Sequence, residues 1–283
     1  MAINLREKYS EKIEEIMIAQ SKSNLFVDTN AGDFVDTNTV KYPIITVPDT
    51  VQTYGRATLA GSTANGKSLY GDTKGVNVRY ETFTLTQDIS EHLYIDRMDE
   101  KESVATAGRM LSDYIRLTLQ PTIDKYRFAK LAEKAGTKVG DTTVSASNIY
   151  GLLTDATEAL DEKGVPEVGR VLGVTPKTFK FLKQSKDIIL DEAVSKEERM
   201  SGIIGKIDGM PVVKVASTYL PTGTQFFVTT SDAVKSPDVY SKLELRDAGN
   251  DGDGTFVNIR YYYDAFVLDQ DKNKIYYVTS ETV

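Results

Sequence analysis

One segment of the chain has the glycine, lysine and serine spacing of a phosphate-binding loop. Residues 61–68 read GSTANGKS, which fits the order G-x-x-x-x-G-K-S. Such a loop must follow a buried strand and open a helix, so that backbone amides and the helix N-terminus hold the phosphates. Here Gly71 and Gly75 interrupt any helix that would follow. A flexible hairpin tip is therefore favoured, and a nucleotide-binding enzyme using the Gly61–Ser68 loop is kept as an alternative.

A second candidate site is the acidic, glycine-rich stretch DAGNDGDG at residues 247–254. Closely spaced carboxylates suit a hard cation such as calcium, and the candidate ligands are Asp247, Asp251 and Asp253. The helix-loop-helix calcium signature is not met, because no glutamate has the required spacing and strand-like sequence flanks the loop. A turn between two strands is the favoured interpretation, and a calcium-binding adhesin is a further alternative.

Nucleophilic catalysis has little support in the composition. His92 is the single histidine and there are no cysteines. A triad with a histidine base would have to use His92, and thiol nucleophiles and thiolate metal sites are excluded. His92 lies in SEHLYID, between two longer elements, and an ordinary structural role is expected for it. We predict no catalytic residue, no bound metal and no cofactor.

The overall composition is that of an acidic globular protein. The chain has 283 residues, a net charge of −7 and 40% hydrophobic residues, which suffices for one large domain or two modest ones. An acidic surface does not favour tight binding to phosphate backbones. The N-terminal sequence is charged throughout and lacks an apolar signal core, and no window approaches the length of a membrane span.

The first third of the chain predicts extended elements with little core of their own. An amphipathic helix over 4–20 is followed by a polar arm over 25–43, in which FVDTN occurs twice. Strand-like runs over 44–59 and 76–87 then flank a glycine-rich tip, residues 61–75. They predict a long two-stranded hairpin, which is marginally stable alone and needs support from a neighbour.

A long helical signal follows the hairpin. Asp99 can cap it, with Glu102 three residues later, and the apolar period continues to a stop at Gly136. Such a helix would be roughly 50 Å long at 1.5 Å per residue. Pro121 is expected to kink or break it.

The remainder predicts a mixed lobe and then long strands. A helix over 147–162 and a buried strand over 170–174 precede a helix capped by Thr175 with Pro176 in its first turn. A hairpin is predicted about Asp208-Gly209. The final strands are predicted over 242–246, 255–268 and 274–280.

This order of parts resembles the major capsid proteins of tailed bacteriophages, the Hong Kong 97-type shell fold. The sequence is similar to capsid proteins of siphophages and prophages of Gram-positive bacteria. The segments that carry the resemblance are TLTQDISEHLYIDRMDEKES (84–103), YIRLTLQPTIDKYRFAKLAEKAG (114–136), VLGVTPKTFKFLK (171–183), IIGKIDGMPVVKV (203–215) and YYYDAFVLDQDKNKIYYV (261–278). Their order, rather than any one of them, is typical of the family.

The resemblance implies an α+β fold with a defined layout. It implies an N-terminal helix and arm (1–43), an extended E-loop (44–83), a peripheral domain with a spine helix (84–136), an axial domain (137–232), and returning peripheral strands with a final axial strand (233–283). The glycine-rich tip would then lie over the adjacent subunit. The inter-subunit contact candidates are Arg56, Lys67, Tyr70, Lys74, Arg79 and Glu81.

The implied function is self-assembly, as hexamers and pentamers, into an icosahedral shell that encloses double-stranded DNA without sequence-specific binding. The implied partners are other copies of the chain, a separate scaffolding protein, a portal and decoration proteins. The implied location is the virion capsid, after assembly in the host cytoplasm, with no membrane. An encapsulin-type nanocompartment, which shares the fold and carries enzyme cargo, is the nearest alternative.

Two features vary among members of this family. Some relatives lose a long N-terminal scaffolding segment to a protease, and we expect no such cleavage here because the segment before the arm is short. Some relatives form lysine–asparagine cross-links, for which Lys67 or Lys74 would supply the amine. The sequence assigns neither the asparagine nor a catalytic carboxylate.

Overall fold

A computed structural model describes residues 21–30, 33–36, 38–46, 51, 74–98, 112–185, 203–247, 249 and 252–282. Fourteen strands lie in these ranges: β1 (Val27–Asp28), β2 (Asp33–Asp36), β3 (Thr39–Thr46), β4 (Asn77–Thr84), β5 (Gln87–Asp96), β6 (Thr137–Val139), β7 (Arg170–Val174), β8 (Ile203–Ile207), β9 (Met210–Lys214), β10 (Thr224–Thr230), β11 (Val234–Lys235), β12 (Asp238–Asp247), β13 (Gly254–Tyr263) and β14 (Tyr276–Thr279). The α-helices of the same ranges are α1 (Gln120–Lys134), α2 (Ile149–Glu162) and α3 (Pro176–Gln184).

The chain forms two compact units. One contains residues 1–31 and 85–283, and the other contains residues 32–84. The larger unit contains a six-stranded mixed sheet in the order β6-β14-β10-β7-β9-β8. Strands β7 and β10 are buried along their whole length, as expected for the centre of a sheet covered on both faces. The sequence prediction of a buried strand at 170–174 is confirmed.

Each face of this sheet has its own hydrophobic core. The α2 face packs Leu153, Ala156 and Leu160 with Phe226 of β10. The opposite face packs Phe227 of the same strand with residues of α1 and of β1. Because successive side chains of a strand point to opposite faces, these two adjacent phenylalanines belong to different cores.

A three-stranded antiparallel sheet, β12-β13-β5, packs against the start of α1. Strand β13 buries Val257, Ile259, Tyr261 and Tyr263 with period two, and these side chains form a core with Ile115, Leu119 and Ile123. The C-terminal strand prediction is correct in kind but wrong in length. The run predicted over 255–268 ends at Tyr263, because the carboxylate of Asp264 turns away to bind other segments.

Pro121 does not break the long helix. A π-helical turn, Ile115–Leu119, runs directly into α1, and the amide of Gln120 donates to the carbonyl of Ile115. Proline has no amide hydrogen, and its ring crowds the carbonyl four residues earlier. The wider turn immediately before Pro121 relieves this crowding, so the chain remains helical to Lys134. The predicted cap at Asp99 and Glu102 lies outside the described residues.

Local signals in the sheet lobe are confirmed. The Thr175 hydroxyl accepts a hydrogen bond from the Thr178 amide at 3.3 Å, which caps α3 before Pro176. Asp208 and Gly209 have φ values of 49° and 76°, as the primed two-residue turn between β8 and β9 requires. The predicted helix stop at Gly136 is placed correctly, and the glycine is needed there because a Cβ would lie 2.5 Å from the carbonyl oxygen of Lys272.

The smaller unit contains the base of the predicted hairpin. Strands β2, β3 and β4 form an antiparallel sheet, with Thr46 opposite Asn77 at the outermost described pair. The outgoing strand begins at Thr39 rather than at Ile44, and the return run predicted over 76–87 is divided between β4 and β5. Residues 61–73 of the predicted tip (61–75) lie outside the described residues, as does the predicted helix over 4–20.

Candidate assembly surfaces

One face of the hairpin is apolar and exposed. In the β3–β4 register Pro43 lies opposite Tyr80 and Ile45 opposite Val78, so these four side chains share a face. Ile45, Val78 and Tyr80 are each more than half exposed, at 61%, 54% and 56%. Val76, at the start of the return run, is 57% exposed. A contiguous set of exposed apolar side chains is typical of a surface that another protein covers.

The other face of the hairpin holds two of the predicted contact residues. Arg79 and Glu81 are two residues apart on β4 and form an ion pair at 3.4 Å, with side-chain exposures of 65% and 15%. Tyr42 and Phe83 pack edge to face nearby, with ring centroids 6.2 Å apart. Lys74 lies exposed before β4. The contact candidates Arg56, Lys67 and Tyr70 lie outside the described residues, as does the Gly61–Ser68 loop.

Residues 21–28, which run into the start of the predicted arm (25–43) and are called the docked arm, are held on α1 through a buried carboxylate. Asp124 is 1% exposed. It accepts hydrogen bonds from the hydroxyls of Ser21 (2.8 Å) and Ser23 (2.7 Å), from the Lys22 amide (2.9 Å) and from the Gln120 side chain (3.1 Å). A carboxylate buried in this way is stable only when its oxygens are hydrogen-bonded, and here both are. The set fixes the backbone of residues 21–23 on the helix.

The docked segment continues with an aromatic anchor and a short strand. Phe26 is fully buried, with its ring centroid 5.7 Å from that of Phe128 and 5.0 Å from that of Phe227. Strand β1 then pairs in parallel with β11. Lys235 pairs with Asp28 at 2.7 Å. Burial alone would raise the pKa of Asp28, but the hydrogen bond to Lys235 and the Asn30 amide outweigh it and hold this pKa below its usual value.

A second buried carboxylate lies where the hairpin joins the rest of the chain. Asp264 is 2% exposed and accepts hydrogen bonds from the amide and hydroxyl of Thr86, at 2.8 and 3.0 Å. It also accepts one from the hydroxyl of Tyr126 on α1, at 2.7 Å. Burial and the bond to the Asp264 carboxylate raise the pKa of Tyr126 well above its usual range, so the phenol keeps its proton. Thr86 comes two residues after the end of β4. The contact therefore fixes the chain at the end of the return strand, a position called the hairpin root (Leu85–Thr86).

Two of the three calcium candidates, Asp247 and Asp253, form ion pairs with one arginine. The guanidinium of Arg97 lies 3.0 Å from Asp247 and 3.1 Å from Asp253, so a cationic side chain already occupies the space between these carboxylates. No cluster of three or more His, Asp or Glu side chains suited to a metal ion occurs in the part of the chain that the structure describes. Asp251 lies outside it.

His92 is built into the outer face of the three-stranded sheet. Its Nδ1 atom hydrogen-bonds with the Oδ1 atom of Asn258 on the neighbouring strand. Its ring stacks on Phe256, with centroids 4.7 Å apart. These contacts are those of a structural cross-strand residue.

No helix among the described residues is both long and apolar enough to cross a membrane.

The sequence analysis missed the residues that anchor the arm and the hairpin. Asp124 and Arg127 lie one turn apart on α1, among Ile123, Phe128 and Leu131, which are all buried. Charged residues on the apolar face of a predicted helix are rarely buried without partners. That pattern was the available signal, but the partners come from segments about a hundred residues away and could not be inferred from it.

Comparison of the sequence with protein-family models and with curated proteins finds no match. Comparison of the structure does find similar folds. The capsid structure of cyanophage P-SCSP1u matches 90% of this chain and 86% of its own, with a TM-score of 0.62 and 16% identity. A structure of Microbacterium phage Oxtober96 matches 92% of this chain and 91% of its own, with a TM-score of 0.63 and 12% identity. A virus-like particle from Pyrococcus furiosus matches 98% of this chain and 100% of its own, with a TM-score of 0.56 and 12% identity. The chain has the α+β fold of Hong Kong 97-type phage capsid proteins.

Proposed function

We propose that this chain is the major capsid protein of a tailed bacteriophage, and that its copies assemble as hexamers and pentamers into an icosahedral shell around double-stranded DNA. The observation that carries the proposal is the fold match to a cyanophage capsid over 90% of this chain and 86% of the other. A match over nearly the whole of both chains concerns the complete architecture and not a shared module.

The exposed face of the hairpin supports a role in assembly. Four apolar side chains at Ile45, Val76, Val78 and Tyr80 would be covered by a neighbouring copy, which removes their apolar surface from water. Many such contacts, each modest in free energy, combine in a closed shell of identical subunits. The predicted contact residues Arg56, Lys67 and Tyr70 of the loop would extend the same interface.

The chain acts in this proposal as a structural protein and not as an enzyme. Its net charge of −7 fits a container wall that does not hold DNA tightly. A separate scaffolding protein, a portal and decoration proteins are the expected partners. Assembly would take place in the host cytoplasm, and the mature protein would reside in the virion capsid.

Electron microscopy of the purified chain, expressed alone and with its neighbouring genes, tests the proposal. Closed shells with hexameric and pentameric units are expected.

Val78→Asp, on the apolar hairpin face, should leave the subunit folded and abolish shells, because a charge would have to be buried at the interface. Val168→Asp is the matched control, since Val168 is 90% exposed and lies away from the hairpin in sequence. Uniform monomers of the wild-type chain under both conditions would refute the proposal.

A nanocompartment of the encapsulin type is the second candidate. It is favoured by the match to the virus-like particle from Pyrococcus furiosus, which covers all of that chain. The contents of purified shells separate the two functions, since packaged DNA supports the phage capsid and packaged protein supports the nanocompartment. A nucleotide-dependent rise in melting temperature would instead support the alternative enzyme that uses the Gly61–Ser68 loop.

A further inference from the structure

The two buried carboxylates are linked to each other by hydrogen bonds through the interior. Ser23 is the first link, because it is fully buried and its hydroxyl meets both charged residues of α1. It donates to Asp124 at 2.7 Å and accepts from the Nη1 atom of Arg127 at 3.2 Å. The docked arm is therefore bonded to the anion and to the cation of the same helix.

Arg127 carries the link onward to the segment after β11. It is 3% exposed, and its Nε atom donates to the hydroxyl of Ser236 at 2.8 Å. That hydroxyl donates in turn to the carbonyl oxygen of Asp264 at 2.9 Å. Ser236 is fully buried, and its amide also donates to the carbonyl of Asp28 in the arm, at 2.8 Å. The arm thus meets this segment at two points.

The final link reaches the root of the hairpin. The side chain of Asp264 accepts from the amide and hydroxyl of Thr86 and from the hydroxyl of Tyr126. Its Oδ1 atom also accepts from the Ala265 amide at 2.7 Å, which fixes the turn that presents the carboxylate. One continuous path therefore runs from Ser23 through Arg127, Ser236 and Asp264 to Thr86.

We propose that this buried network makes the docked arm (residues 21–28) and the hairpin root (Leu85–Thr86) a single cooperative unit, so that release of one loosens the other. A buried polar group that loses its partner bears the full cost of its desolvation, and networks of such groups strengthen one another. Displacing Ser23 also displaces its neighbour Asn24, whose Oδ1 atom accepts from the same Nη1 atom of Arg127 at 3.2 Å. Arg127 then loses both of these contacts to the arm, which weakens its hold on Ser236 and, through Ser236, on Asp264. The effect is reciprocal, because the coupling free energy between two sites is the same whichever site is perturbed.

The coupling is a property of the folded subunit and goes beyond the proposed function. Under the capsid proposal, a neighbouring copy that pulled on the hairpin would also change the grip on the arm. The test below uses the full-length unassembled chain, so its outcome does not depend on whether the chain forms shells.

Hydrogen exchange of single amides, followed by NMR or by fragment-resolved mass spectrometry, tests the coupling. The two reporters are the amides of Lys22 and Thr86, which donate to Asp124 and Asp264 respectively. Ser23→Ala should accelerate exchange of the Thr86 amide about 10-fold, although Thr86 is far from Ser23 in sequence. In the reverse direction, Asp264→Asn or the milder Tyr126→Phe should accelerate exchange of the Lys22 amide.

Two further variants separate the network from general destabilisation. Ser21→Ala removes a hydroxyl that bonds Asp124 and Ser23 inside the same unit, so it should accelerate exchange at both Lys22 and Thr86. Thr178→Ala removes a buried hydroxyl in the sheet lobe and should leave both reporters unchanged. Acceleration of Lys22 without Thr86 in Ser23→Ala would overturn the proposal, as would equal acceleration of Thr86 in Thr178→Ala.

Discussion

Replacing Phe26 by alanine should undock the arm and lower the stability of the subunit. The Phe26 side chain is fully buried between the rings of Phe128 and Phe227, which lie on α1 and β10. Truncation of a buried phenylalanine removes its transfer free energy and leaves a cavity, at a cost of about 3–5 kcal/mol. Phe26→Leu keeps most of the volume and should cost less than about 1.5 kcal/mol.

The lost free energy can appear as local release of residues 21–28 or as a loss of stability of the whole unit, and the contacts around Phe26 indicate that local release dominates. Residues 21–28 are also held by Asp124 and by β11, and those bonds lie on either side of Phe26 in sequence. Local release of the segment exposes these contacts and the rings of Phe128 and Phe227, whereas the sheet lobe keeps its separate core around Phe226. We therefore expect the arm to undock first, with a global loss smaller than the full cost of truncation.

Two assays distinguish local from global effects. Tryptic cleavage after Lys22 reports on undocking, because the Lys22 amide is bonded to Asp124 in the docked state. Urea denaturation reports on the free energy of unfolding of the whole unit. Phe26→Ala should cleave at Lys22 at least about 10-fold faster than wild type, and Val168→Ala, at a 90% exposed site, should match wild type in both assays. An unchanged cleavage rate together with a stability loss below about 1 kcal/mol would refute the anchoring role of Phe26.

Further predictions concern an ion pair and two glycines. The pKa of Asp28 is lowered in the folded state, so its stabilisation is present at neutral pH and is lost as the pH falls through that lowered value. The difference in unfolding free energy between wild type and Asp28→Asn should therefore shrink from about pH 6 to about pH 3 in urea titrations, and a constant difference would contradict the pairing with Lys235. Gly136→Ala should lower the melting temperature, at a cost of about 1–3 kcal/mol, because the new Cβ meets the Lys272 carbonyl. Gly151→Ala, in α2 with no atom within 4 Å of the added Cβ, should instead stabilise by about 0.5–1 kcal/mol, and equal effects of the two changes would refute the steric argument.

Features set by neighbours in sequence were predictable. The cap at Thr175 and the turn at Asp208-Gly209 depend on backbone angles and on bonds within three residues, and both occur as expected. Strand period alone puts Val78 and Tyr80 of the run predicted over 76–87 on one face, and the β3–β4 register agrees. These signals are strong because a single residue type satisfies a single local geometry.

Features set by distant segments were not predictable. Strand β13 ends at Tyr263, although apolar residues continue to Leu268, because Asp264 bonds Thr86 and Tyr126. This outcome depends on partners that one stretch of sequence does not reveal.

The position of β14 has a consequence for how the protein is made. This strand lies inside the six-stranded sheet, between β6 and β10, yet it comes after every other strand of that sheet in chain order. Its partner β10, at Thr224–Thr230, is synthesised about fifty residues earlier, and its partner β6, at Thr137–Val139, earlier still. At about 5–20 residues per second, the ribosome needs several seconds to supply the missing strand. The sheet is therefore completed only after the roughly fifty residues that follow β10 have been made, so a nascent chain that ends soon after β10 still lacks one internal strand of this lobe.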